Sequence, residues 1–347
     1  MSKNKRNGFL AIHHREGSFS NRWIDYCKKN NIDYKLVDCF DHDILKNLKG
    51  AYGLMWHWTH WDFSAQIFAR QLIKVIEDSG TKVFPSFNTC WHFDDKISQK
   101  YLLESIDART VDTYIFFKKQ KAIDWAKKTT YPKVFKLSAG AGSSNVFLVK
   151  NFNEAKDKIN KIFNTGFSQI QRSYFLKERV WHFKRDKSIT SFLKILIGLG
   201  MQFFPTNLEK NSKKERNYAY FQDFIPNNNC DIRIIVIGTR AFAIKRLIRD
   251  GDFRASGSGK ISYNPTEIPK DCIRQSFQYS SKIKSQCMAY DYVKSINKWV
   301  LIEVSYAFNQ KVYEDCQGYW DIDLNWNEGK INPQNFMIID FLESLKK

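Results

Sequence analysis

No two cysteines are spaced as CxxC. The seven present (Cys27, Cys39, Cys90, Cys230, Cys272, Cys287 and Cys316) are odd in number and scattered. This argues against a disulfide framework and a zinc site, and for a reducing cytoplasm. No apolar run reaches the ~20 residues of a membrane span, and the opening MSKNKRNGFLAIHH is too short in apolar residues for a signal peptide. GxGxxG is missing, so no dinucleotide fingerprint is read. The small-residue stretch from Ser138 to Ser144 lacks the following Gly-Lys-Ser/Thr of a Walker A loop. None of the familiar RNA- or DNA-binding signatures occurs. Acids are the minority: 36 Asp and Glu stand against 55 Lys and Arg, a formal charge of +19. That excess suits an anionic membrane surface, phosphorylated substrates or nucleic acid, and equally a solvated lysine-rich surface. Without a signature, specific nucleic-acid binding is not expected.

What is present describes a globular chain of two or three domains: 347 residues, 43% hydrophobic and 16% aromatic. Residues 1–88 alternate strand and helix, with strands in NGFLAIHH, IDYKLVD, AYGLMWHW and TKVFP and a strong amphipathic helix in SAQIFARQLIKVIEDSG. This pattern predicts a parallel sheet with right-handed crossovers, whose ligands bind beyond the carboxyl ends of the strands. Two unusual loops fall at such ends, His13 to Ser18 and Trp56 to Asp62. The second could grip a sugar ring or another planar group, or pack on a neighbouring domain; His57 and His60 within it are not read as a metal site.

Residues 89–171 open with Asp94 and Asp95 before a helix, as the helix dipole prefers. They continue through a strand ending at Lys136 into Ser138-Ala139-Gly140-Ala141-Gly142-Ser143-Ser144. Exposed backbone N–H groups in such a loop can cradle phosphate. Residues 172–217 form a basic, aromatic and then apolar insertion or lid. ITSFLKILIGLGMQFF, preceded by Lys184, Arg185 and Lys187, reads either as an interfacial segment facing anionic lipid over 184–204 or as a buried helix or lid element. Residues 218–347 are strand-rich, and the tail QGYWDIDLNW is expected to be a loop before a terminal helix.

AYDYV and WVLIEV, joined by the polar KSINK, read as a hairpin. Symmetry about Asn297 puts Asp291 directly opposite Glu303, with Cβ atoms about 5 Å apart. Two carboxylates that close repel unless a cation lies between them, and Mg²⁺ favours a few carboxylates plus phosphate oxygens. The alternative is a surface hairpin whose acids lie across from Lys294 and Lys298. Together with Lys96, Lys136, Arg246, Arg254 and a FQDFI segment able to supply a backbone hinge, these residues describe an ATP site.

The segments DDKISQKYLL, VFKLSAGAGSSNVFLV, YFQDFIPNNNCDIRIIVIGTRAFAIKRLIRDGDFRASGSG and AYDYV…WVLIEVSY resemble the ATP-grasp superfamily, in the branch of glutathione synthetase and ribosomal-protein glutamate ligase. They span roughly residues 89–305. The resemblance implies an N-terminal parallel α/β domain followed by a two-lobed ATP-grasp fold. It implies that Lys96 and Lys136, with Ser138, Gly140, Gly142 and Ser143 of the loop, contact the phosphates of ATP. Gln222, Asp223, Phe224 and Ile225 would form the adenine hinge, and Asp231 would lie near the ribose. Arg246 and Arg254 would face the transferred phosphate, and Asp291, Glu303 and Ser305 would bind Mg²⁺, with Mn²⁺ as a substitute. The family usually has Asn where Ser305 stands, and a hydroxyl is a weaker ligand than an amide carbonyl. The implied activity is a carboxylate–amine ligase that forms an amide through an acyl-phosphate in the cytoplasm or at the inner face of the membrane. The Trp/His loop and GYWD resemble ATP-grasp proteins of bacterial surface polysaccharide, which implies an acidic sugar and an amine as substrates. The rivals are a small-molecule kinase on the same fold and a non-catalytic nucleotide or membrane-surface binding protein.

Overall fold

The computed structural model describes residues 8–140, 145–170, 176–177, 179–181, 183, 187–201, 214–248 and 259–346. They form two compact units. One comprises Met1–Phe93, Tyr101–Thr110 and Asn227–Lys347, the other Asp94–Lys100 and Val111–Pro226.

The first unit begins with β1 (Phe9–His13), α1 (Ser20–Lys29), β2 (Tyr34–Val37), α2 (Ile44–Asn47), β3 (Ala51–Trp56), α3 (Phe63–Asp78), β4 (Lys82–Phe84) and α4 (Phe87–Cys90). The strands form a parallel sheet in the order β2-β1-β3-β4, as the alternation predicts. Asp62 caps α3 by accepting from the Ala65 N–H at 3.0 Å. Ala65, Ala69, Leu72, Ile73 and Ile76 bury one stripe of that helix.

The second unit takes in the first part of α5 (Lys96–Ser105), up to Lys100, and contains β5 (Thr113–Phe116), α6 (Lys119–Lys128), β6 (Lys133–Lys136), β7 (Val146–Val149), α7 (Phe152–Phe163), β8 (Phe167–Ser168), α8 (Ile189–Gly200), β9 (Lys214–Glu215) and β10 (Ala219–Asp223). Its main sheet runs β5-β10-β6-β7. Here β10, which the sequence places at the head of a C-terminal lobe, is an inner strand between β5 and β6. Trp125 of α6 packs on Tyr114, Phe116 and Phe221 at 4.8–5.2 Å between ring centroids. The apolar run forms α8, but it is not a buried helix. Only Ser191 and Gly198 are buried, while Ile189, Phe192, Leu193, Leu196, Ile197 and Leu199 are 46–80% exposed. Among the described residues no helix is long and apolar enough to cross a membrane.

The first unit resumes with β11 (Cys230–Ile237), β12 (Arg240–Leu247), β13 (Ile261–Ser262), α9 (Lys270–Ile283), β14 (Cys287–Ser295), β15 (Lys298–Ser305), β16 (Gly318–Asp321), β17 (Trp326–Glu328) and α10 (Pro333–Ser344). The sheet order is β15-β14-β11-β12-β16-β17, with β13 also on β12. The tail expected to be a loop is therefore a hairpin. Trp320 and Trp326 pack across it in a tilted pair at 4.6 Å, and the Asp321 carboxylate accepts from the N–H groups of Asp323 and Asn325 to fold its turn. One face of the large sheet packs Ile232, Ile234, Tyr290 and Tyr292 with Ile273 and Phe277 of α9. Strand alternation sends Ile235, Ile237, Phe242, Ile244 and Ala289 to a second core with Leu10, Trp23 and Ile338.

Candidate functional site

In the second unit, Lys136 ends β6, and its Nζ donates to Gln222 Oε1 of β10 at 2.6 Å. Lys96 opens α5, and its Nζ donates to the Gly140 carbonyl at 3.0 Å. Both ammonium groups are buried, 7% and 6% exposed, and a buried charge needs partners. The loop after β6 is stitched to the start of α5. Ser138 Oγ donates to Asp95 Oδ1 at 2.7 Å, the Gly140 N–H donates to Asp94 Oδ1 at 2.8 Å, and the Lys96 N–H donates to the Ser138 carbonyl at 3.0 Å. Asp95 also accepts from the Ile97 and Ser98 N–H groups at 3.1 Å each. The acids expected to complement the helix dipole thus also hold the glycine loop. Gly140 needs to be glycine: its φ is +115°, and a Cβ there would meet Asn145 Nδ2 at 2.6 Å. Gly142 and Ser143 lie outside the described residues.

The hinge segment follows the same sheet. Gln222 Nε2 donates to Thr113 Oγ1 at 3.1 Å, and the Asp223 carboxylate takes the buried Lys133 ammonium at 2.6 Å. The Asp223 N–H is already committed to the Asp112 carbonyl at 2.9 Å. Phe224 and Ile225 follow just beyond β10.

In the first unit, the charges occupy neighbouring strands of the large sheet. Asp231 pairs with Arg246, Arg233 with Asp291, and Asp291 with Glu303 in the cross-strand register. Arg246 grips Asp231 with two bonds of 2.6 and 2.7 Å. Arg233 grips Asp291 with two of 2.5 Å, and Arg246 Nη2 reaches Asp291 Oδ2 at 3.2 Å. Bidentate pairs of this kind fix both partners in plane. Burial pushes the Asp291 carboxyl up, but the guanidiniums of Arg233 and Arg246 outweigh it and hold it at about 2. At Asp231 burial dominates, the charge of Asp291 adds to it, and the carboxyl is raised despite Arg246. Asp231, expected near a ribose, is thus engaged by Arg246, and Arg246 sits between two carboxylates. Arg254 lies outside the described residues.

Arg233 was not singled out from the sequence. The signal for it was its position two residues after Asp231 on one strand, which puts both on the same face.

The donor set at Asp291, Glu303 and Ser305 fits a hard divalent cation. A carboxylate offers about four lone-pair sites; Asp291 Oδ1 accepts one guanidinium bond and Oδ2 two. Ser305 Oγ donates its hydrogen to the Ala307 carbonyl at 2.8 Å, which leaves the oxygen's lone pairs to accept. Among the described residues no group of three or more His, Cys, Asp or Glu side chains forms a metal cluster. Two carboxylates completed by a hydroxyl and by phosphate oxygens match Mg²⁺ rather than a metal that needs an all-protein cage.

At the carboxyl ends of β1 and β3, Trp56, His57 and Trp58 are buried, whereas Trp61 is 37% exposed. Trp58 packs on Phe93 and Tyr306 at 6.1 and 5.1 Å. These three residues are packed in, not an open platform for a sugar ring.

Residues 206–324, which carry every described member of the charged row on the large sheet, match the RimK-like ATP-grasp domain. That stretch is similar to a RimK-like ATP-grasp domain, and the chain as a whole shares the fold of known ATP-grasp structures. Known structures agree along almost its whole length. A RimK domain ATP-grasp protein from Sphaerobacter thermophilus superposes with a TM-score of 0.54 at 13% identity, covering 97% of this chain and 100% of that one. The D-alanine–D-alanine ligase of Bacillus anthracis complexed with ATP gives 0.57 at 13% identity, over 98% and 99%. The N5-carboxyaminoimidazole synthetase of Staphylococcus aureus complexed with ADP gives 0.56 at 12%, over 92% and 77%. At these identities the likeness is one of fold. No curated protein matches the chain in sequence.

Proposed function

We propose that this protein is an ATP- and Mg²⁺-dependent carboxylate–amine ligase. The observation that carries the reading is the placement of Asp291, Glu303 and Ser305 on one hairpin beside the Arg233–Arg246 pair. Lys96 and Lys136 bind the phosphates and exchange their present amide and carbonyl acceptors for phosphate oxygens. The loop around Ser138 and Gly140, with Gly142 and Ser143, covers the phosphates and excludes water that would hydrolyse an acyl-phosphate. Gln222 to Ile225 supply the adenine hinge. Asp291, Glu303 and Ser305 would hold Mg²⁺, which supplies charge neutralisation at the transferred phosphoryl group. Arg246 and Arg254 orient that group, and Arg233 keeps Asp291 ionised and in plane.

The substrates are an acidic sugar or other small carboxylate and an amine, in the context of bacterial surface polysaccharide. The exposed apolar side chains of α8 beside a basic stretch favour a second property, contact with the anionic inner face of a membrane. The nucleotide site is tested by thermal shift with ADP, with and without Mg²⁺, on wild type and Glu303→Gln. At 100 times its dissociation constant a ligand adds about 2.7 kcal/mol. A Mg²⁺-dependent shift lost in the variant supports the site, and no shift in either protein overturns it. Hydroxylamine then separates ligase from kinase: a trapped hydroxamate requires an acyl-phosphate, whereas a stable phosphoproduct without amine does not.

A further inference from the structure

The loops at the carboxyl ends of β1 and β3 hold buried donors for which there is no acceptor among the described residues. His57 is 5% exposed. Its ring stacks on Phe19 at 3.7 Å and 8°, and its Nδ1 accepts the Phe19 N–H at 3.3 Å. That bond assigns the tautomer, because the proton of a neutral imidazole must then sit on Nε2. Burial, with the Arg15 charge second, lowers the pKa of His57 to about 3, so the ring is neutral. Its Nε2–H is buried and has no hydrogen-bond partner among the described residues, and the same is true of Arg15 Nε. The indole nitrogens of Trp56 and Trp58 in the same loop share this condition.

The loop that carries Arg15 is braced rather than slack. The Arg15 N–H donates to Ser20 Oγ at 3.3 Å, the Ser20 hydroxyl lies 3.3 Å from the Arg15 carbonyl, and the Ser18 N–H donates to that carbonyl at 3.1 Å. This places Arg15 at the N-terminus of α1, whose capping residue Phe19 contributes no side-chain cap. The neighbouring loop is clamped to the end of β15. The Tyr306 hydroxyl accepts from the Trp58 N–H at 3.2 Å and donates to the Trp58 carbonyl at 3.0 Å, and Tyr306 follows Ser305. The Arg15 charge is felt at both His57 and Tyr306.

Buried donors without acceptors are rare in folded proteins and each calls for a cause. A guanidinium and a neutral imidazole N–H share one complement, a group that only accepts and carries negative charge. We propose that Arg15 and His57 form a carboxylate-binding subsite that holds the acidic substrate beside the Asp291–Glu303 hairpin. The proposal rests on the ligase reading and adds to it the residues that select an acid.

The test uses the full chain and follows the His57 imidazole by long-range ¹H–¹⁵N NMR, assigned with His57→Phe. Glucuronate and glutamate are the probes, with glucose as the neutral control and glucose 6-phosphate as the phosphate control. We expect one of the two acids to move the Nε2 resonance and glucose to leave it in place, and which acid does so separates a sugar acid from an amino acid. Arg15→Gln should weaken that acid at least about tenfold, the loss of one charge-assisted hydrogen bond, without altering the ADP–Mg²⁺ thermal shift. Response to neither acid, an equal response to glucose, or a response to the phosphate alone would overturn the subsite and mean that a buried water or another ligand satisfies the donors. If Arg15→Gln does not fold, the wild-type comparison of acid with glucose decides. An acid response at His57 in a protein that shows no ADP shift would keep the subsite and overturn the ligase reading instead.

Discussion

Asp291 and Glu303 are cross-strand partners although the turn between their strands is not centred between them. The ladder from Ser295↔Lys298 to Tyr292↔Leu301 is centred on the Ile296–Asn297 bond, and continued without change it would pair Asp291 with Ile302. A bulge between Asp291 and Tyr292 shifts the register by one residue and brings Glu303 opposite Asp291 instead. A one-residue shift changes which side chain faces the site, so the bulge is what assembles the carboxylate pair. The symmetric hairpin about Asn297 reaches the same pair by a different route.

In the proposed Mg²⁺ site the hydroxyl of Ser305 would join that pair, and its replacement should read out on the metal alone. Ser305→Ala is expected to raise the Mg²⁺ concentration needed for half of the ADP thermal shift by about tenfold, the effect of losing one oxygen donor of order 1.4 kcal/mol. Ser305→Asn, with its carbonyl oxygen, should need no more Mg²⁺ than wild type. ADP binding in the absence of metal should be the same in all three proteins.

The turn itself holds a removable strain. Ile296 has a φ of +50° and is 89% exposed, and a β-branched side chain there is disfavoured by roughly 1–2 kcal/mol. Ile296→Gly removes the clash, and the greater freedom of glycine in the unfolded chain returns part of it. The expected net gain is about 0.5–1 kcal/mol, seen as a higher denaturation midpoint with an unchanged slope.

Much of this arrangement is legible in the sequence, for physical reasons. The alternation of strands and amphipathic helices before residue 88 reports burial directly, and every strand it predicts there is present. The carboxylate hairpin is legible because the turn is polar and both strands are β-branched. The tail hairpin is not: DIDLN reads as loop, and the ladder rests on the Asp321 turn and on the cross-strand packing of Trp320 against Trp326. Arg233 is hidden in the isoleucine-rich CDIRIIVI, which reads as plain core until the register places Asp291 across from it. Whether a loop histidine is paired depends on long-range packing, so the missing acceptor at His57 has no local signature.

Helix α8 should bind lipid through its exposed side chains. Ile189, Leu193 and Ile197 are each at least half exposed, and carrying them into an acyl boundary is worth of order 1–2 kcal/mol apiece. Co-sedimentation with vesicles containing phosphatidylserine is expected for wild type and is expected to fall at least about tenfold for Leu193→Glu with Ile197→Glu. The ADP–Mg²⁺ shift should survive in that variant. Equal sedimentation with neutral vesicles would remove the role of the basic stretch.

The Arg233–Asp291 pair makes a prediction in which breaking and replacing the interaction differ in sign. Arg233→Met leaves the Asp291 carboxylate 5% exposed, with only the longer 3.2 Å contact to Arg246. Removing one partner of a buried pair costs about 3–5 kcal/mol. Arg233→Met combined with Asp291→Leu removes both charges and should recover most of that loss, because an apolar pair of similar volume is often neutral or better. The double variant should nevertheless lose the Mg²⁺-dependent ADP shift. Acid titration gives an independent reading. The Asp291 carboxyl is held at about 2, below its ordinary 3.8, so its contribution to stability is complete above about pH 4 and is lost as the pH falls through about 2. Wild-type stability should therefore fall across that interval more steeply than that of the double variant, which has no carboxyl at position 291 to protonate. Parallel acid limbs in the two proteins would show that Asp291 is not held by the guanidiniums, and the reading of Arg233 as the residue that keeps it charged would fail.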